Sequence, residues 1–238
     1  MTTSIGILIV GSLYWDDQPH RQTWRTERLK MDEIVRVRAP IRYGRKSSTR
    51  GDTYTMVFSR ELDHSKDKLG FALIAPCKKL IDTSQNLIDE AEALWCAERP
   101  PNAPGGGISA TWGNVAIIQN PDNPLPANIL EAWEGRVGNE ENYGHVKHSK
   151  NESSIIQSSG LLNVSWPDDA PNSYSALLAT ATNPTLIEDE YPSIDLIAGA
   201  WNTANGRGYR NYFLQNKKNN ICTFQDEEIS QKLDHTAA

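Results

Sequence analysis

Residues 4–10 (SIGILIV) form a short unbroken apolar run that stops at Gly11. A run of this length, rich in β-branched residues and closed by glycine, predicts a buried central strand. Residues 33–39 (EIVRVRA) set Ile34, Val35, Val37 and Ala39 among charges and end at Pro40, as a half-exposed strand does. TYTMVF at 53–58 and LGFALIA at 69–75 read as two further strands, with the polar residues 61–68 as a hairpin connection. Between Pro40 and these strands, residues 42–51 (RYGRKSSTRG) are small, basic and hydroxyl-rich, and read as a loop.

The period then changes. In residues 84–98 (SQNLIDEAEALWCAE), Leu87, Ala91, Leu94 and Trp95 recur at helical spacing. Asp82 or Thr83 is placed to cap this helix, and Pro100-Pro101 to end it. A Pro/Gly linker over 101–107 leads to a strand within 108–119. Pro126 to Val137 predicts a second helix, with Ile129, Trp133 and Val137 on one face and Gly138 just past its end. Residues 138–160 are polar without a period and read as a loop or mobile insertion. Strands are expected at 161–166, 174–182 and 209–214, and helices at 192–204 and 226–233.

Strands in groups with helices interspersed predict an α+β fold: a mixed β-sheet or small barrel with packed helices. The chain has 238 residues, long for one domain and short for two. The expected division is a core over 1–137 and a C-terminal extension over 138–238 packed on that core.

The net charge is −6 but unevenly spread. The window 21–50 carries ten Lys/Arg against three acids, or +7, which leaves the rest at −13. A positive zone on an acidic body suits a small anionic ligand more than nucleic acid. Cys77, Cys96 and Cys222 are scattered and contain no CxxC pair, which argues against a disulfide scaffold or structural zinc. His145-x-x-His148 lacks a third ligand set, so no metal is expected. No apolar run reaches the roughly 20 residues that cross a bilayer, and no secretory leader pattern opens the chain. The expectation is a cytoplasmic protein without a membrane partner.

Three constellations could carry chemistry. Gly11-Ser12-Leu13-Tyr14 leaves the first strand at a glycine, where consecutive backbone N–H groups can face a carboxylate or a developing oxyanion. Arg42, Arg45, Ser47, Ser48 and Arg50 offer guanidinium forks and hydroxyls to an anion. Asp89-Glu90-x-Glu92 puts acids on the first helix; at about 100° per residue, Glu90 and Glu92 flank the apolar stripe on opposite borders. Glu98 projects nearer the stripe's centre, but at the helix end before Pro100. A carboxylate against apolar neighbours has a raised pKa and can shuttle protons.

The order of these parts resembles the γ-glutamylcyclotransferase-like family. Ile9-Val10-Gly11-Ser12-Leu13 is similar to the family's Tyr-Gly-Ser-Leu loop after its first strand, with Val10 where the tyrosine stands. Ile88-Asp89-Glu90-Ala91-Glu92-Ala93 is similar to its later acidic stretch, with Ala93 where a glycine stands. The likeness covers roughly residues 5–100. It implies a γ-glutamylcyclotransferase-like core over 1–137 and a lyase or acyltransferase that releases 5-oxoproline and a free amine from a γ-glutamyl amide. It also implies Glu92, with Glu90 beside it, as the acid/base, the Ser12 and Leu13 amides as oxyanion donors, and no cofactor. The residues themselves leave two other readings open. One is a non-catalytic binder of an anionic small molecule or nucleotide through the arginine-rich segment. The other is a protein whose basic face docks on an acidic partner.

Overall fold

The structure is a computed structural model, and it describes residues 2–99 and 107–234. Pro100, Pro101, Gly105 and Gly106 lie outside the described residues. The strands are β1 (Ser4–Ile9), β2 (Val35–Ala39), β3 (Ile41–Ser47), β4 (Thr53–Phe58), β5 (Gly70–Pro76), β6 (Ser109–Ala110), β7 (Gly113–Gln119) and β8 (Tyr174–Thr182). Six of them make one mixed sheet in the order β2-β5-β1-β8-β7-β6, and β3 pairs with β4 as a separate ribbon. The sheet is open, with edges at β2 and β6, so the barrel alternative does not apply. β1 runs antiparallel to β5 and parallel to β8, with Ile7 opposite both Ala75 and Leu178. β8, from the half of the chain after residue 138, thus lies between β1 and β7 near the sheet centre.

The helices are α1 (Pro19–Arg28), α2 (Arg60–Asp63), α3 (Ser84–Glu98), α4 (Ala127–Gly138), α5 (Ile194–Asn202), α6 (Ala204–Arg207), α7 (Arg210–Lys218) and α8 (Asp226–Asp234). Side chains alternate across the sheet and fill two cores, as a period of two requires. Ile5, Ile7 and Ile9 of β1 join α1, α3 and α4 on one face; Leu8 joins the β3–β4 ribbon, α5, α7 and α8 on the other. Trp95, Trp133 and Trp201 are fully buried. α3 begins at Thr83, whose hydroxyl accepts from the Asn86 amide at 3.2 Å, so one of its otherwise unpaired first-turn donors is satisfied.

Several elements differ from expectation, each for a physical reason. Residues 42–51 are not a loop but β3 followed by a 3-10 turn over Ser48–Arg50; the guanidinium groups that suggest exposure face a cavity or find partners. Residues 61–68 do not join a hairpin. They hold α2 and a 3-10 turn, because β4 pairs with β3 while β5 pairs with β1 and β2. Residues 209–214 are helical: Tyr212, Phe213 and Asn216 are buried at helical spacing, overriding the strand preference of aromatics. The stretch 161–166 forms only single bridges at Leu161 and Leu162. Residues 138–160 are not an insertion, since Val146, Ile155 and Ile156 pack into the core. α1 was not anticipated. It buries only Trp24 and Arg21, too little to make an apolar stripe.

Candidate functional site

β1 and β8 are parallel neighbours, so their carboxyl ends leave the sheet on the same edge. A cavity of about 610 Å³ opens there, between the turn after β1, the end of α3, the β3–β4 ribbon and the start of α7.

The turn is built first by its own backbone. Tyr14 N donates to Gly11 O at 3.3 Å and Asp16 N to Ser12 O at 2.8 Å. The N–H groups of Ser12 and Leu13 donate to no protein acceptor among the described residues. Gly11 is required by space: a Cβ there would sit 2.9 Å from the Tyr212 hydroxyl oxygen. α1 then pins the turn from outside, Arg25 donating to Leu13 O at 2.5 Å and to Asp16 O at 2.7 Å.

The side chains form a fixed cluster. Arg21 Nη1 donates to Asp16 Oδ2 at 2.7 Å and to Ser12 Oγ at 3.2 Å, while its Nε donates to Ala97 O at the end of α3 at 3.0 Å. Arg50 Nη2 reaches Ser12 Oγ at 3.0 Å and lies 3.6 Å from Asp16 Oδ2. Arg50 also sits over the Tyr212 ring, 4.8 Å from its centre. Two guanidinium groups therefore converge on a single serine hydroxyl and on the Asp16 carboxylate. Arginine supplies the planar fork that such shared bonding needs.

Glu98, the last residue of α3, lines the same cavity. Burial pushes its carboxyl above the ordinary carboxylate range; Arg21 and Arg45, then the Thr180 hydroxyl and Arg50, pull it back without cancelling the rise. It forms no ion pair among the described residues. Arg45 approaches from β3, where a bulge at Gly44 sets it opposite Thr55. Its guanidinium lies 5.1 Å from the centre of the Trp112 ring.

Of the residues expected from sequence, Gly11, Ser12, Leu13, Arg45, Ser47 and Arg50 line this cavity, and Tyr14, Arg42, Ser48, Glu90 and Glu92 do not. Tyr14 packs partly buried against both cores. Arg42 donates to Glu61 Oε2 at 3.1 Å and covers the Tyr191 ring. Ser48 is exposed at the start of the 3-10 turn. Glu90 is buried and paired with Arg28 at 3.0 Å; burial raises its pKa more than Arg28 lowers it. Glu92 pairs with Arg136 of α4 at 3.1 Å. Trp15, which follows Tyr14, donates its indole N–H to Asn216 Oδ1 at 2.7 Å. The acids expected to act thus face α1 and α4, and the acids at the cavity are Asp16 and Glu98.

Asp16, Arg21, Thr180 and Tyr212 also belong to the cavity wall and carry no sequence signal. Glu98 does carry one: it falls at the centre of the Leu87–Trp95 stripe, an apolar position occupied by an acid. His145 and His148 border a separate open groove, and no group of three or more metal-ligating side chains occurs among the described residues.

No protein-family model matches the chain, and neither a curated protein nor a solved structure shows significant similarity to it.

Proposed function

We propose that this protein is a γ-glutamylcyclotransferase-type enzyme that converts a γ-glutamyl amide into 5-oxoproline and a free amine, with Glu98 as the acid/base. The observation that carries the reading is one juxtaposition. A carboxyl outside any ion pair among the described residues, with a raised pKa, shares a cavity with the undonated amides of Ser12 and Leu13. The likeness of residues 9–13 to that family's loop supports it independently.

The chemistry follows from those groups. The substrate's α-amine attacks its own γ-carbonyl carbon, so the nucleophile is tethered and much of the entropic barrier is already met. Glu98 takes the proton from the resulting ammonium. The Ser12 and Leu13 N–H groups hold the oxyanion of the tetrahedral intermediate. As that intermediate collapses, the bond to the departing amine breaks and Glu98 returns the proton to its nitrogen. Arg50, fixed by Ser12 and Asp16, holds the substrate's α-carboxylate. A carboxyl whose pKa is raised by burial suits this double role, because the step passes through both of its protonation states.

Incubation with γ-glutamyl amides, assayed for 5-oxoproline, tests the reading. Glu98→Gln should lose turnover by roughly 10²- to 10⁴-fold, while Glu92→Gln, whose residue is engaged with Arg136, should retain it. Full activity in Glu98→Gln refutes the assignment.

A second reading, a non-catalytic receptor for an anionic small molecule such as a nucleotide, is favoured by the arginines of the same cavity. It predicts ligand-induced thermal stabilisation lost in Arg45→Ala or Arg50→Ala without any turnover. No helix among the described residues is long and apolar enough to cross a membrane, and a cytoplasmic location belongs to the same proposal.

A further inference from the structure

Arg45 of the cavity wall stands apart from its neighbours among the described residues. Arg21 bonds Asp16, Ser12 and Ala97. Arg25 bonds the carbonyls of Leu13 and Asp16. Arg28 pairs with Glu90, Arg42 with Glu61, and Arg50 with Ser12 and Asp16. The guanidinium of Arg45 makes no hydrogen bond and no ion pair among the described residues. Glu98 is the acid whose field it feels, across the cavity and beyond pairing distance. Burial makes its charge costly, enough to lower its pKa. A half-buried cation without a carboxylate is a group waiting for an anion.

Its position is nonetheless fixed. Arg45 lies over Trp112, and Trp112 stacks on the buried Trp95 with ring centres 4.5 Å apart and planes 14° apart. The Thr55 hydroxyl holds the Arg45 carbonyl at 3.2 Å. A guanidinium held over an aromatic stack keeps its place while its N–H groups stay free for an oxyanion.

We infer that Arg45, braced by Trp112, is a second oxyanion subsite, and that the ligand of this cavity carries an anionic group at its end remote from Ser12. The inference deepens the proposed function and rests on it only for the placing of the first end at Ser12. It makes the preferred ligand a molecule with two oxyanionic ends, rather than one whose far end is a simple alkyl amide. A carboxylate and a phosphate-type group share the required chemistry.

The test uses probes without an α-amine, which cannot cyclise. Glutarylglycine carries two carboxylates, glutaric acid monomethylamide carries one, and N-glutaryl aminomethylphosphonate replaces the second carboxylate by a phosphonate. Calorimetric titration of the full chain should show glutarylglycine or the phosphonate bound roughly 10- to 100-fold more tightly than the monomethylamide, the span expected of hydrogen bonds to a charged group. The tighter of the two names the oxyanion. Arg45→Met should erase the preference and leave monomethylamide affinity in place, and Arg45→Lys should keep part of it. Lys46→Met, an exposed neighbour on the same strand, should change nothing. Equal binding of all three probes by the natural chain, no binding of any, or a preference that survives Arg45→Met overturns the subsite. Intact preference with no 5-oxoproline from any γ-glutamyl amide overturns the catalytic reading alone.

Discussion

Asp226 gives a sharp test of how burial sets charge in this protein. It opens α8 at 6 % exposure, and its Oδ1 accepts from Thr223 N at 2.8 Å and Thr223 Oγ1 at 2.7 Å. Its Oδ2 has no hydrogen-bond partner. Burial pushes the carboxyl up from 3.8 to about 6, against the two Thr223 bonds and Lys217. The folded state therefore holds this proton more tightly than the unfolded chain. The stabilisation is complete below the unfolded pKa and is lost as pH rises through about 6. A gap of roughly 2 units at 1.36 kcal/mol each amounts to about 3 kcal/mol. Asp226→Asn keeps an acceptor for Thr223 and removes the charge; lost attraction to the helix N-terminus returns about 0.5 kcal/mol. Urea unfolding at a series of pH values should show the variant gaining about 2–3 kcal/mol on the natural protein between about pH 3 and pH 7. Parallel stability curves would refute the reasoning. The turn matters beyond its own charge, because the neighbouring Gln225 accepts from Tyr43 N of β3 at 2.9 Å.

The remaining predictions concern the cavity and its supports. If Glu98 acts as base, the acid limb of the pH–rate profile should lie above the ordinary carboxylate range. Arg45→Met, by removing a cation that lowers the Glu98 pKa, should move that limb to still higher pH. Gly51 has φ +61°, and a Cβ there would lie 2.6 Å from the Asn205 carbonyl. Gly51→Ala should cost about 1–2 kcal/mol, read as a fall of roughly 2–8 °C in Tm, and should weaken anion binding by displacing Arg50. Arg28→Ala strands the buried Glu90 carboxylate, so chemical unfolding should show a larger loss of stability at pH 7 than at pH 5, where protonation relieves the charge.

What could be read from the chain follows from which forces were local. β1, β4, β8 and α3 declare themselves because their apolar positions keep one period over six residues or more and the core rewards that period. α1 and α7 do not. α1 is held by Arg25 bonding to backbone carbonyls of the turn before it, and α7 mixes buried aromatics with polar residues. The same division runs through the site. The glycine turn and the basic segment were visible as local chemistry, and Ser12, Arg45 and Arg50 do meet in one cavity. Choosing among Glu90, Glu92 and Glu98 required knowing which helix neighbours each face, and that depends on α1 and α4, whose positions no local pattern encodes. The short acidic motif pointed to Glu92, and helical phase alone does not choose among the three.

The placement of β8 also bears on how the molecule must be made. Ser4 pairs with Tyr174, and Ile7 with Leu178, so β1 acquires its parallel neighbour only once residues 174–182 have followed it from the ribosome. Until then β1 and β7 each present an apolar edge with unpaired backbone groups, the kind of surface that invites association between nascent chains. Closing so long a span is slow. Deletions after residue 137 would therefore reveal themselves as aggregation rather than as a smaller soluble protein.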